Sequence, residues 1–308
     1  MKVMEGENRP WVLVTGARGF IGRAVTKLLQ RSGYQALGAD QSEATDQRIG
    51  SEVCLDITDR GALHSLLESQ AFSGIIHLAA ILPTAARRDP LRATEVNVRG
   101  SLNVLEMARE FGVRRFVFGS SLSVYGTYPA GHVVTEADRA AAEDLYGAAK
   151  VYVEQFGEAY RAACGLEFVS LRIGRVVGPG AASATSAWRS QIFELLGTAQ
   201  PAEIELPYAD TERILVVHVE DVAKMLVTLL ATPRPAHSVY NAVCESVAVG
   251  ELKREVERLN PRLRVSLGGE AVVGNPRRLD SSRFGGEFRF EAVSIFELLR
   301  TAAGRRVE

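Results

Sequence analysis

A doubly wound α/β fold, a parallel sheet covered by helices on both faces, is what three observations predict. Short β-branched runs alternate with segments whose apolar residues recur at helical spacing. The first such strand breaks into a glycine-rich turn that opens a helix. The residues with chemical character (Gly16 to Gly22, Asp40, Asp56, Ala79, Ala80 and Ser121) all follow strand ends, and ligands on parallel sheets sit at the carboxyl ends of the strands.

In chain order, WVLVTG (11–16) reads as a strand and GFIGRAVTKLLQRSG (19–33) as a helix stopped at Gly33. YQALGAD is the next strand, EVCLDITD a third, ALHSLLESQ a helix and GIIHLAA (74–80) a fourth strand. ILPTAARRDP reads as a loop, LRATEVNVRGSLNVLEMAREFG as one long helix ending at Gly112, and RRFVFGSS as a fifth strand. DLYGAAKVYVEQFGEAYRAACG is helical, and LEFVSLRIGRVVGPG is a sixth strand running into a punctuated loop. Regular alternation then lapses. WRSQIFELLG and a short polar strand occupy 181–212, RILVVHVEDVAKMLVTLLA gives a strand and helix, and HSVYNAV a strand. A helix at VGELKREVERLN, a strand at RVSL and an amphipathic helix at EAVSIFELLRTAAG complete the chain. Residues 10–172 with 214–241 form the expected nucleotide domain. Residues 173–213 with 242–308 form a small, mostly C-terminal lid over the substrate.

The turn Gly16-Ala-Arg-Gly19-Phe-Ile-Gly22 suits a pyrophosphate. Its glycines let backbone approach closely, and the helix N-terminus offers unpaired N–H groups and a favourable dipole. Asp40, eighteen residues beyond Gly22, is placed to accept hydrogen bonds from a ribose hydroxyl pair and to repel a 2′-phosphate. The expected sheet is therefore of the Rossmann type. NAD is favoured over NADP, although Arg18 in the turn and the polar stretch after Asp40 keep the second cofactor open.

Tyr146 and Lys150 lie four residues apart on a helix and so share a face. A nearby ammonium favours a phenolate and lowers a phenol's pKa from about 10, so Tyr146 is the expected proton shuttle. Ser121 is the expected hydrogen-bond donor to the same substrate oxygen. A Tyr-x-x-x-Lys spacing alone reads first as an amphipathic helix with a solvated lysine; the glycine turn and Asp40 give the functional reading its weight.

The chain has 308 residues, 46% of them hydrophobic and 24% charged, with a formal net charge of -1. That composition describes an ordinary globular protein and carries no nucleic-acid or membrane-surface footprint. Residues 1–9 read as a frayed tail too polar for a signal peptide, and no apolar run has spanning length. Cys54, Cys164 and Cys244 are odd in number and lack metal-ligand spacing. A reduced cytoplasmic setting is expected, with each thiol a small buried residue. His77 and His218 read as hydrogen-bonded core histidines, Trp11 as packing, and Arg87 with Arg88 as a solvated pair or a contact for an anionic substrate.

TGARGFIG, Asp40, LDIT, HLAA, Asn97 in VNVRG, SSLSVYG, YGAAK, LRIGRVVGPG and HVEDVA stand in the order of the extended short-chain dehydrogenase/reductase superfamily, the NAD-dependent epimerases and dehydratases, which the chain resembles over nearly its whole length. The resemblance implies that Gly16, Gly19, Phe20, Ile21 and Gly22 hold the pyrophosphate and Asp40 the adenosine ribose. Asp56 and Ile57 border the adenine, and Leu78, Ala79, Ala80 and Asn97 line the cofactor channel. Lys150 binds the nicotinamide ribose and lowers the Tyr146 pKa, and Ile173 approaches the nicotinamide. Tyr146 takes the substrate hydroxyl proton while hydride leaves the same carbon, and Ser121 steadies the developing carbonyl.

Departures bear on the reaction. Leu122 and Ser123 replace the acidic pair of the family's dehydratases, which disfavours dehydration. Arg175 stands where sugar-nucleotide epimerases usually carry asparagine, Arg213 is offset by one position from their arginine, and Leu82 replaces a lysine of some epimerases. Thr84, Ser121, Ser123, Tyr146, Arg175 and Arg213 are the expected substrate contacts. The leading function is an NAD-dependent oxidoreductase on a carbohydrate-type secondary alcohol, a nucleotide-sugar 4-epimerase in its commonest form. The alternatives are a simple dehydrogenase of a free sugar, sugar acid or hydroxy acid, and a non-catalytic NAD-binding sensor or scaffold. Surplus apolar residues on the helices at 97–110 and 145–164, with the family habit of pairing them, predict a homodimer.

Overall fold

The computed structural model describes residues 10–42, 50–181 and 186–304. The tail expected at residues 1–9 and most of the polar stretch after Asp40 lie outside the described residues. The first half alternates as read: β1 (Trp11–Thr15), α1 (Phe20–Arg31), β2 (Gln35–Asp40), β3 (Ser51–Cys54), α2 (Arg60–Ser69) and β4 (Gly74–His77). The segment expected as a loop folds instead into α3 (Pro83–Arg88), with proline in its first turn, where a missing N–H costs nothing. Asp89 then caps α4 (Pro90–Thr94) by accepting from Arg92 N.

The long helix is not uniform. A π-helical turn at Glu95–Gly100 separates α4 from α5 (Ser101–Glu110); such turns recur at functional sites. β5 (Arg115–Ser121) leads through a tight 3-10 turn to α6 (Leu145–Cys164) and β6 (Glu167–Ile173). At Gly174 the chain leaves the main sheet for β7 (Arg175–Val177), followed by α7 (Trp188–Glu194), β8 (Ala202–Tyr208), β9 (Arg213–His218) and α8 (Val219–Ala231). β10 (Val239–Asn241), β11 (Glu245–Ala248), α9 (Val249–Leu259), β12 (Leu263–Glu270), α10 (Ser282–Phe288) and α11 (Ile295–Ala302) follow.

Seven strands form one parallel sheet in the order β10-β6-β5-β4-β1-β2-β3. The chain winds outward from β1 to β3, then restarts on the other side of β1 with β4, so a crevice opens at the carboxyl ends of β1 and β4. Side-chain alternation in the buried strand β1 sends Val12 and Val14 into a core under α1 and α8, and Leu13 into a core under α2, α5 and α6. β9 lies outside this sheet. It pairs with β7 and β11, and β8 pairs with β12, around a separate core containing Trp188, Ile192, Ile204, Leu206, Leu252 and Leu299. Residues 214–218 were expected to return to the nucleotide domain; their strand builds the second layer while α8 packs back on α1.

Cys54 and Cys164 are exposed and Cys244 half-buried, against the expectation of three buried thiols. β3 is an edge strand and Cys164 ends α6, positions that sequence spacing does not separate from core. Among the described residues no helix is long and apolar enough to cross a membrane, and no cluster of His, Cys, Asp or Glu could hold a metal ion.

Candidate active site

The turn after β1 is shaped by its glycines. Gly16 has φ +69, and a Cβ there would lie 2.7 Å from Ala79 N; a Cβ on Gly22 would lie 2.2 Å from Gly16 O. Only bare backbone fits, which brings the start of α1 against the crevice at β4. Gly19 precedes that helix in an extended conformation and no side chain caps it, so the first N–H groups, from Phe20 and Ile21, suit a diphosphate. Asp40 Oδ2 accepts from Arg18 N at 3.1 Å, and Oδ1 from Ser42. The Arg18 guanidinium, the one group in the turn that favoured a 2′-phosphate, donates to Glu52 at 2.9 Å. Asp40 with Glu52 makes an acidic rim that fits a free ribose, as NAD presents.

Other expected cofactor residues take defined places. Asn97 Oδ1 accepts from Ile81 N at 2.7 Å and its Nδ2 donates to Ile81 O at 2.9 Å, so the π-helical turn clamps the segment after β4. Leu78 N and Ala79 N donate to Thr15 Oγ1. Asp56 accepts from Arg92 at 2.8 Å and from Thr58; burial pushes its carboxyl up, but these hydrogen bonds outweigh burial and leave it below the usual range. Ile57 is buried beneath Gly100, and its carbonyl accepts from Asn103 Nδ2 at 3.1 Å. Ile173 ends β6, buried beside the end of β5.

The chemical groups meet at the carboxyl end of β5. Asp144 caps α6 by accepting from Gly147 N at 2.6 Å, and a Cβ on Gly147 would lie 2.5 Å from Ser123 O. The glycine between Tyr146 and Lys150 therefore lets α6 press against the turn that carries Ser121 and Ser123. Ser121 pulls the pKa of the Tyr146 phenol down, and its Oγ donates to Ser123 Oγ at 3.2 Å. Lys150 is buried, donates from Nζ to Gly119 O at 2.6 Å, and stands 5.4 Å from the centre of the Tyr146 ring. α6 is fixed to the sheet by a buried pair, Arg172 to Glu154 at 2.7 Å, with Arg172 also donating to Tyr125 Oη and Tyr125 to Asn241. A cavity of about 450 Å³ is lined by Pro83, Arg87, Asp144 and Tyr146 among others.

The electrostatics correct one expectation. Burial pushes the Tyr146 phenol up to about 12, Asp144 adds to the rise, and the opposing pulls come from Ser121 and Arg189, with Lys150 absent from the balance. Burial likewise pushes Lys150 down to about 7, partly offset by Glu154. The ammonium expected to acidify the phenol is bonded to the Gly119 carbonyl, and burial disfavours its charged form.

Among the expected substrate residues, Ser121, Ser123 and Tyr146 converge. Arg175 donates to Tyr208 Oη at 3.0 Å, and Thr84 sits exposed on α3. Arg213, on the exposed start of β9, donates to Ser246 Oγ and O. Arg189 and Tyr208 were not read from the sequence, because neither lies in a local motif. His77 is fully buried between Thr15 Oγ1 (2.6 Å) and Ser101 Oγ (2.9 Å), and burial, aided by Lys150, depresses it to about 3. His218 is not a core residue: it is half-buried and caps α8, accepting from Glu220 N.

Fold and site together define an enzyme of the extended short-chain dehydrogenase/reductase class, with a dinucleotide turn and a Ser-Tyr-Lys set on one rim. The model of the NAD dependent epimerase/dehydratase family matches residues 12–242. L-threonine 3-dehydrogenase of Sus scrofa is 25% identical over 279 residues, covering 86% of this chain and 72% of its own. UDP-glucuronate 4-epimerase of Thermodesulfobacterium geofontis is 32% identical over 195 residues, covering 58% and 60%. The structure is similar to Thermus thermophilus UDP-glucose 4-epimerase in complex with NAD, with a TM-score of 0.82, 23% identity, and 96% and 98% of the two chains covered. The chain belongs to the NAD-dependent epimerase/dehydratase family, and NAD is its cofactor.

Proposed function

We propose that the protein is an NAD-dependent oxidoreductase acting on a carbohydrate-type secondary alcohol, with nucleotide-sugar 4-epimerisation as its leading reaction. The observation that carries this reading is the Ser121, Tyr146 and Lys150 set held at the same rim as the glycine turn. Gly16, Gly19, Phe20, Ile21 and Gly22 would hold the diphosphate, Asp40 the adenosine ribose, and Lys150 the nicotinamide ribose; Asp56, Ile57, Leu78, Ala79, Ala80, Asn97 and Ile173 would line the rest. NAD, when bound, would supply the hydride acceptor and a positive charge favouring the phenolate form of Tyr146, the form that can accept a proton. Tyr146 takes the carbinol proton, and Ser121 donates to the oxygen as it becomes a carbonyl. Residues 173–213 with 242–308 serve as the substrate lid, and Thr84, Ser123, Arg175 and Arg213 as its candidate contacts.

A second reading, net dehydrogenation of a hydroxy acid, is supported by the threonine dehydrogenase match, which spans 86% of the chain against 58% for the glucuronate epimerase. One assay separates the two. Interconversion of nucleotide sugars with no net change at 340 nm is expected for the epimerase, and accumulating NADH with a free hydroxy acid or polyol for the dehydrogenase. No turnover of either class by NAD-loaded protein would contradict the proposal.

A homodimer is proposed through α5 and α6, where Leu145 and Tyr152 are exposed and Tyr152 stacks on Phe156 at 4.6 Å. Light scattering should give about twice 33.4 kDa at micromolar concentration; a monomer mass would refute the pairing. We assign the protein to a reducing, cytoplasmic setting on its three free cysteines.

A further inference from the structure

The turn after β1 is tied to the edge of the sheet by an ion pair that lies in no motif. Arg18 Nε donates to Glu52 Oε2 at 2.9 Å, and the two side chains are 9% and 7% exposed. Glu52 stands on β3, the edge strand, in register with Gly38 of β2. Gly38 lets the pair close. A Cβ there would lie 2.7 Å from Ala17 Cβ and 3.4 Å from Glu52 Cγ, so a larger residue would lift the turn off β2 and crowd the Glu52 stem. The backbone of Arg18 is fixed as well: its N donates to Asp40 Oδ2 at 3.1 Å, and its O accepts from Arg23 Nε at 3.0 Å. Arg18 is thereby held at its amide, its carbonyl and its guanidinium.

The hold is incomplete at one atom. Arg18 Nη1 is buried and has no hydrogen-bond partner, so Glu52 answers the charge of the guanidinium without using its whole fork. Such a fork matches the oxygens of a phosphate. This one lies in the turn that suits a diphosphate, and its own amide bonds the carboxylate placed for the adenosine ribose. Released from Glu52, Arg18 is the turn's ready ligand for a phosphate on the ribose 2′-oxygen. Asp40 repels such a phosphate, but its charge is already shared among Arg18 N, Ser42 N and Ser42 Oγ. We propose that Glu52 is a cofactor-selectivity residue. By holding Arg18 it withdraws that ligand and keeps the site for the unphosphorylated dinucleotide. Exclusion of NADP then depends on a side chain outside both the glycine turn and the end of β2. The inference rests on the NAD site and not on which alcohol is oxidised there.

The test is calorimetric titration of the full chain, stripped of bound nucleotide, with NAD and with NADP. Wild type, E52Q, E52M, R18Q and the double variant R18Q/E52Q are compared, with thermal melts of each. The ratio of NADP to NAD affinity should rise at least about tenfold in E52Q, the equivalent of one charge-assisted hydrogen bond. It should rise further in E52M, because glutamine still accepts from Arg18 and methionine does not. E52M leaves a buried guanidinium uncompensated and should melt below wild type, and NADP should raise its Tm more than an equal concentration of NAD does. The double variant separates holding from direct repulsion. Replacing Glu52 by glutamine in the R18Q background should leave the ratio within about twofold, since no arginine remains to be released. The proposal is overturned if E52Q and E52M keep the wild-type ratio, or if that replacement raises the ratio as much without Arg18 as with it. Should E52M fail to fold, the E52Q and double-variant ratios decide alone. Absence of NAD binding by the wild type is a separate result, which removes the dinucleotide site itself and this inference with it.

Discussion

Tyr146→Phe is expected to lower kcat by about 10²- to 10⁴-fold, the range for removing a positioned general acid–base, while NAD affinity changes less than about twofold. The phenol hydroxyl is the one atom lost, and the ring that packs near Lys150 remains. Titration calorimetry with NAD and a turnover assay on the same preparation check both halves. A variant with undiminished turnover would show that another group moves the proton. The sensor alternative would be favoured if the wild type itself bound NAD without turning over any alcohol.

Lys150→Met is expected to separate stability from activity. Loss of the ammonium removes the group proposed to hold the nicotinamide ribose, so NAD affinity and kcat should both fall by at least about tenfold, the equivalent of one charge-assisted hydrogen bond. The folded protein should become more stable. Burial pushes Lys150 from 10.5 down to about 7, which at about 1.4 kcal/mol per unit amounts to roughly 4–5 kcal/mol of penalty on the charged form. Orphaning the Gly119 carbonyl returns about 1–3 kcal/mol, so the net gain is a few kcal/mol, or about 2–6 °C in Tm for a chain of this length.

The sign follows from linkage. Between pH 7 and 10.5 the unfolded chain holds the Lys150 proton that the folded protein has released. Wild-type stability therefore rises with pH across that window, by up to about 1.4 kcal/mol per pH unit. Lys150→Met lacks that slope, so its advantage is largest below pH 7 and closes toward pH 10.5. Thermal melts of both proteins at several pH values measure it; an advantage that is constant or grows with pH would contradict a buried, depressed ammonium.

Local chemistry was legible in the sequence, and packing across the chain was not. The turn from Gly16 to Gly22, Asp40 and the Tyr146–Lys150 pair are short-range patterns whose backbone demands are written in adjacent residues. The alternation that built the seven-stranded sheet is equally local, a period of two against 3.6. The second layer escaped because β7, β9 and β11, and β8 with β12, pair across long stretches of chain, which spacing does not encode. α10 contains the glycine pair Gly285 and Gly286, poor helix formers, and is held by Phe284 packed against Tyr240 and Phe288 rather than by propensity. The same limit explains the site. Helical spacing correctly put Lys150 near Tyr146, but the direction of each pKa shift is set by burial, which depends on tertiary structure.

The central claim is that the Tyr146 hydroxyl faces the reactive ring of NAD bound in the crevice between β1 and β4. A crystal structure of the NAD complex measures this directly. The diphosphate should rest on the N–H groups of Phe20 and Ile21, and Lys150 should be hydrogen-bonded to the nicotinamide ribose. The nicotinamide ring should leave room for a carbinol carbon about 3–3.5 Å from it and within hydrogen-bond reach of the phenol. A dinucleotide lodged elsewhere, or a nicotinamide on the far side of the sheet rim from Tyr146, would contradict the account.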